Sequence, residues 1–193
     1  MSDGERDLVA TASETVGPFF HFGLATDPAL GCVADPSVPG DHITLAFRVT
    51  DGEGVAVPDA LVEIWQVDAQ GAPAPPPASV GHPAAFRGFG RLASNENGQC
   101  DFHTVRPGRT DASDAAQQAP HINICLFARG LLRQVHTRVY FAGDPGLADD
   151  AVLALVPAGR RATLLATRDA ADSARWLFDL RLQGERETVF FDV

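Results

Sequence analysis

The chain has 193 residues, is 45% hydrophobic and carries a formal net charge of −10. All 15 of its basic residues are arginine, because the sequence contains no lysine. This acidic balance leaves no basic footprint for nucleic acid or an anionic membrane, and no apolar run approaches the roughly 18 residues of a membrane span.

Residues 1–14 are polar and without period, and read as a flexible lead-in to a single domain covering residues 1–193. Thr15-Val16-Gly17-Pro18-Phe19-Phe20-His21-Phe22 puts a Gly-Pro turn signal before an aromatic cluster, which should pack against something. Residues 23–41 read as a loop. The first clear strand is His42–Thr50, where Ile43, Leu45, Phe47 and Val49 alternate with other residues. After the turn Asp51-Gly52-Glu53-Gly54, a second strand is expected over 60–67, with Leu61, Glu63, Trp65 and Val67 on one face. The proline-rich piece Ala72-Pro73-Ala74-Pro75-Pro76-Pro77 lacks the N–H groups a sheet interior requires, so it reads as an extended surface loop.

Strands are next expected over 86–93 and 99–105, separated by the turn Asn95-Glu96-Asn97-Gly98, and a polar loop runs over 109–119. The run His121 to Phe127 alternates Ile122, Ile124 and Leu126 against His121, Asn123, Cys125 and Phe127. Gly130 breaks it, and Val135, Thr137, Val139 and Phe141 then alternate with His136, Arg138 and Tyr140. The two segments read as a β-hairpin. A short helical turn over 149–154 and strands over 160–167 and 175–183 complete the pattern. The apolar tail Thr188-Val189-Phe190-Phe191-Asp192-Val193 should be buried against its own fold or a partner. Short strands at near-regular spacing with Gly/Pro turns predict an all-β fold, an antiparallel β-sandwich with long loops and at most short helices.

Cys32, Cys100 and Cys125 form an odd set without a CxxC pair, read as reduced thiols; with no apolar leader over residues 1–10, a cytoplasmic location is expected. Gly88-Phe89-Gly90-Arg91-Leu92-Ala93 fits the loose dinucleotide pattern, but it runs into a β-turn where that pattern needs a helix. The six histidines are His21, His42, His82, His103, His121 and His136. His121 and Asn123 point the same way on one strand, as paired metal ligands would, yet Asn is a weak neutral donor. The structural reading of His121 is a hydrogen-bonded residue in a partly polar core, and that of Cys125 is a small apolar filler. Arg129 is read either as a solvated hairpin end or as a guanidinium aimed at an anionic ligand.

Several blocks resemble the intradiol ring-cleaving dioxygenases, and among them the alpha-type chains. They are Thr15-Val16-Gly17-Pro18-Phe19, Glu63-Ile64-Trp65-Gln66-Val67-Asp68, His103-Thr104-Val105-Arg106-Pro107-Gly108, Ala119-Pro120-His121-Ile122-Asn123, Leu126-Phe127-Ala128-Arg129-Gly130, His136-Thr137-Arg138-Val139-Tyr140-Phe141 and the run from Gln183 to Asp192. They occur in order over nearly the whole chain. The resemblance implies a β-sandwich and a holoenzyme that uses non-haem Fe(III) and O2 to open 3,4-dihydroxybenzoate to 3-carboxy-cis,cis-muconate. In the catalytic chains of that family two tyrosines and two histidines hold the iron. The matching positions here are the neighbourhoods of Pro73 and Thr110, then His121 and Asn123, so they mark a degenerate former metal site. With a single tyrosine, Tyr140, the chain cannot build a two-tyrosinate centre.

The resemblance further implies a homologous beta chain that binds the Fe(III), an αβ heterodimer that assembles further, and a supporting role for this chain. Thr15, Pro18 and Arg129 are the positions it implies at the substrate pocket of the partner. The aromatic cluster and the apolar tail are expected at the interface. The alternatives are a noncatalytic β-sandwich binding module without an enzymatic partner, and a self-sufficient metalloenzyme using His103, His121 or His136.

Overall fold

In the computed structural model of the chain, the described residues are 10–17, 19–76, 84–111 and 117–192. His42–Thr50 forms β1, and its alternation does what it predicts: Leu45, Phe47 and Val49 are buried in the core. The following strands are β2 (Leu61–Trp65), β3 (Phe89–Ala93), β4 (Gln99–Val105), β5 (Thr110–Asp111), β6 (Gln117–Gln118), β7 (His121–Phe127), β8 (Val135–Phe141), β9 (Leu165–Arg168) and β10 (Arg175–Arg181). Two five-residue helices, α1 (Phe20–Leu24) and α2 (Ala151–Leu155), and short 3-10 turns are the helical content among these residues.

Eight strands make one sheet in the order β3-β2-β7-β8-β9-β10-β1-β4, and β5 pairs separately with β6 inside the predicted 109–119 loop. The sheet curls until its end strands β3 and β4 touch, giving a nearly closed, barrel-like layer. Its pairing is mixed, not purely antiparallel as expected: β1 runs parallel to β10, and β8 parallel to β9. The run over 160–167 also departs from expectation. Ala158–Leu164 is a 3-10 segment following Pro157, and the strand begins only at Leu165. Leu164 is needed elsewhere, in a second apolar cluster with Ala119, Tyr140, Leu153 and Val156.

The main core draws on both halves of the sheet. Phe47 meets Phe102 edge-on at 5.7 Å and Phe178 at 5.8 Å, while Phe141 meets Trp176 at 5.0 Å. On β2 the core side chains are Val62 and Ile64; Leu61 and Glu63 are buried on the opposite face, where Glu63 pairs with Arg91 at 2.5 Å. Gly90 on β3 lies so near Val33 and Phe102 that an added Cβ would stand 2.7 Å from the Val33 side chain. Close packing accounts for the glycine that the dinucleotide pattern had flagged, and a strand occupies its place.

The tail belongs to the fold. β9 covers the outer edge of β8 only at Tyr140 and Phe141, and Phe191 bridges to the uncovered His136, its N–H donating to the His136 carbonyl at 2.7 Å. The Thr137 hydroxyl donates to the Val189 carbonyl at 2.7 Å, and Phe190 packs on the main core. An unpaired strand edge is thus closed within the chain, so this part of the tail is not a free interface element.

Candidate functional site

β7 carries chemistry at both ends, separated by about 20 Å of strand at the usual rise per residue. At its start lies a cavity of about 340 Å³ lined by Trp65, Gln66, Pro73, Thr110, His121 and Asn123, among others. The four positions singled out as a degenerate site, dispersed over residues 73–123, therefore meet around one space. The loop after β2 brings Pro73, β5 brings Thr110, and β7 brings His121 and Asn123 on one face because strand side chains repeat every two residues.

The cavity is firmly walled. Gln66 is buried; its amide N–H groups donate to the Val67 and Val105 carbonyls at 3.0 and 2.9 Å, and its Oε1 accepts from the Thr104 hydroxyl at 2.8 Å. Trp65 and Phe89 meet at a tilt of 47°, with ring centroids 5.1 Å apart. His121 is 8% exposed, and its Nδ1–H donates to the Ala119 carbonyl at 2.8 Å. A carbonyl only accepts, so Nδ1 holds the proton and Nε2 keeps the lone pair. Burial, aided by the charge of Arg138, holds the imidazole below its ordinary range and so neutral at pH 7.

One neutral imidazole, an amide, a hydroxyl and a proline do not make a ferric site, which needs anionic oxygen or further imidazole donors. The only tyrosine is committed elsewhere. Tyr140 is fully buried, and its hydroxyl donates to Asp150 Oδ1 at 3.1 Å. Burial pushes its phenol up to about 12. His103 bonds to Thr44 on the far strand pair, and His136 lies beside the tail; among the described residues no three His, Cys, Asp or Glu side chains gather as metal ligands. Cys125 is buried, and its thiol is pushed up to about 11 chiefly by desolvation, which suits a filler.

At the other end of β7, the sequence-distant residues Thr15 and Arg129 come together. The Gly130 N–H donates to the Thr15 hydroxyl at 2.8 Å, and Phe20 of α1 packs on Phe127 at 5.3 Å. Gly130 sits at φ +91°, a left-handed turn that glycine adopts without strain. Arg129 is 56% exposed and lies 4.0 Å from Asp59 Oδ2, while His21 Nε2 lies 3.8 Å from Asp59 Oδ1. Sequence reasoning missed Asp59, and named His21 only within the aromatic cluster and among the six histidines. Phe19 and Phe22, 79% and 63% exposed, stand on the outside of the same segment. Pro18, the third position expected here, lies outside the described residues.

A family model described as "Dioxygenase" matches residues 16–184. The chain is 43% identical to a protocatechuate 3,4-dioxygenase alpha chain from Burkholderia cepacia, over 96% of this chain and 98% of that one. It is 28% identical to the protocatechuate 3,4-dioxygenase beta chain of the same organism, over 91% of this chain and 77% of that one. A solved 3-chlorocatechol 1,2-dioxygenase from Rhodococcus opacus shares the fold with a TM-score of 0.65 at 19% identity, covering 89% of this chain and 71% of that one. The chain belongs to the intradiol ring-cleaving dioxygenase family.

Proposed function

We propose that this chain is the alpha subunit of a protocatechuate 3,4-dioxygenase, the enzyme that opens 3,4-dihydroxybenzoate with O2 to 3-carboxy-cis,cis-muconate. It pairs with a homologous beta chain in an αβ unit that assembles further, in the cytoplasm, and the beta chain holds the catalytic Fe(III). The observation that carries this reading is the split along β7. The cavity at its start offers one neutral imidazole, whereas its far end presents Thr15 and Arg129 together on an exposed surface. A half-exposed guanidinium suits a substrate with a ring carboxylate, since a cation beside a pocket raises the local concentration of anions and helps orient them. Thr15, Pro18 and Arg129 form this chain's contribution to the partner's pocket, and the exposed Phe19 and Phe22 supply apolar area for the contact. Two halves of one sheet facing each other across a shared aromatic core suit the two-layer sandwich of a single domain spanning the chain.

The test is iron content and visible absorbance of the chain purified alone and co-purified with its beta-type partner. The expected result is a colourless, iron-free chain alone and a red-brown, active complex. Stoichiometric iron with ring cleavage in the isolated chain would overturn the reading.

A further inference from the structure

Asp59 is the one non-glycine residue with positive φ among the described residues, at +59°. That region is sparsely populated by L-residues, and such a conformation lasts only where its surroundings enforce it. Here the enforcement comes from Ser94, which is buried. Its carbonyl accepts the Asp59 N–H at 3.0 Å, its hydroxyl oxygen accepts the Ala60 N–H at 3.0 Å, and the hydroxyl donates to the Val57 carbonyl at 2.8 Å. Its own N–H donates to the Ala60 carbonyl at 2.8 Å. The turn is pinned from both sides, and the pinned residue holds its carboxylate between two elements that already touch through Phe20 and Phe127. His21 of α1 faces Oδ1 at 3.8 Å, and Arg129, just past β7, faces Oδ2 at 4.0 Å.

We infer that Asp59 is a positioning residue for substrate recognition, holding the Arg129 guanidinium beside the amino-terminal segment so that it meets the ring carboxylate in the partner's pocket. The inference rests on the proposed alpha-subunit role and goes beyond it. A long arginine side chain loses considerable rotamer freedom when fixed, and a carboxylate carried on a turn whose backbone is pinned supplies that restriction before substrate arrives. Thr15 enters the same arrangement through Gly130, the residue next to Arg129. Arg129 would touch the substrate; Asp59 acts through it.

The test uses the assembled αβ enzyme with 3,4-dihydroxybenzoate and with catechol, which has the same reacting hydroxyls and no carboxylate. Asp59→Asn keeps a residue type that tolerates the left-handed conformation and removes the charge. It should raise KM for 3,4-dihydroxybenzoate by about threefold, the scale of an exposed ion pair, with kcat and the catechol kinetics unchanged. Asp59→Gly, which relieves the backbone strain, should show the same KM shift, since both variants lack the carboxylate. In an Arg129→Ala background neither change should add anything. If Arg129→Ala raises KM while Asp59→Asn behaves as wild type, or if the Asp59→Asn effect persists in full without Arg129, the positioning role is overturned and the alpha-subunit reading stands. If Arg129→Ala itself leaves KM for 3,4-dihydroxybenzoate unchanged, the assignment of Arg129 to the pocket falls, and the role of Asp59 with it.

Discussion

Tyr140 donates its hydroxyl hydrogen to Asp150 Oδ1 at 3.1 Å, and the other oxygen of the same carboxylate accepts the Ala119 N–H at 2.8 Å. Asp150 also caps α2 by accepting the Leu153 N–H at 2.7 Å. One buried carboxylate thus ties β8, the start of α2 and the approach to His121. The lone phenol is a structural donor within the second apolar cluster.

Tyr140→Phe should therefore cost about 1.5–3 kcal/mol, the range for a hydrogen bond to a charged group. It should leave the visible spectrum and turnover of the assembled enzyme unchanged. Urea melts of the variant beside the parent, with absorbance of the complex, check both halves of the statement.

Stability should fall on both sides of neutrality, for different groups. The His121 imidazole titrates below its ordinary value of 6.5 in the fold, mainly through burial. Its contribution is therefore complete above that value and is lost as pH drops through the depressed folded one. Tyr140 and Cys125 are shifted the other way, from 10.0 to about 12 and from 9.0 to about 11. Their contributions are intact below pH 9 and decline as pH rises towards 12. Thermal melts across pH should show this shape, and His121→Gln should flatten the acid limb alone.

Restoring one ligand should not restore a ferric centre. Asn123→His adds a second imidazole to the cavity where Pro73, Thr110 and His121 already meet, but no phenolate. We expect it to stay colourless with added iron. Combining it with Pro73→Tyr and Thr110→Tyr should produce a visible tyrosinate–iron band. Absorbance titration of both variants with ferric ion separates the two outcomes.

Phe47→Ala should destabilise the chain by about 3–5 kcal/mol, because it removes a fully packed aromatic. Two edge-to-face partners, Phe102 and Phe178, would lose their contact at once. Denaturant unfolding of the isolated chain, or of the complex if the subunit needs its partner, gives the difference directly.

What could be read from the sequence depended on whether the signal was local. β1 and β4 match their expected spans, since alternation over seven or nine residues leaves little choice of period. The segment over 160–167 misled because its apolar residues serve two clusters: Leu164 turns to α2 and Tyr140, and only the stretch from Leu165 joins the sheet. The parallel pairs were invisible, because alternation reports which face a residue takes and nothing about strand direction. Of the cavity residues, His121 and Asn123 were paired by the strand period, whereas Pro73 and Thr110 were placed by resemblance alone. Asp59 gave no signal, because its role arises from a left-handed turn and two neighbours 38 and 70 positions away.

The parallel register of β1 with β10 matches Thr44 with Arg175 and Thr50 with Arg181. β1 is followed by eight further strands before β10, the neighbour it pairs with in parallel, is made. At ordinary elongation rates the wait is roughly 6–26 s. Through that interval the edge of β1 that will meet β10 stays unpaired, a template for the wrong strand. Closure of the sheet therefore waits for β10, and any partner that recognises the closed form must meet a chain that has already reached it.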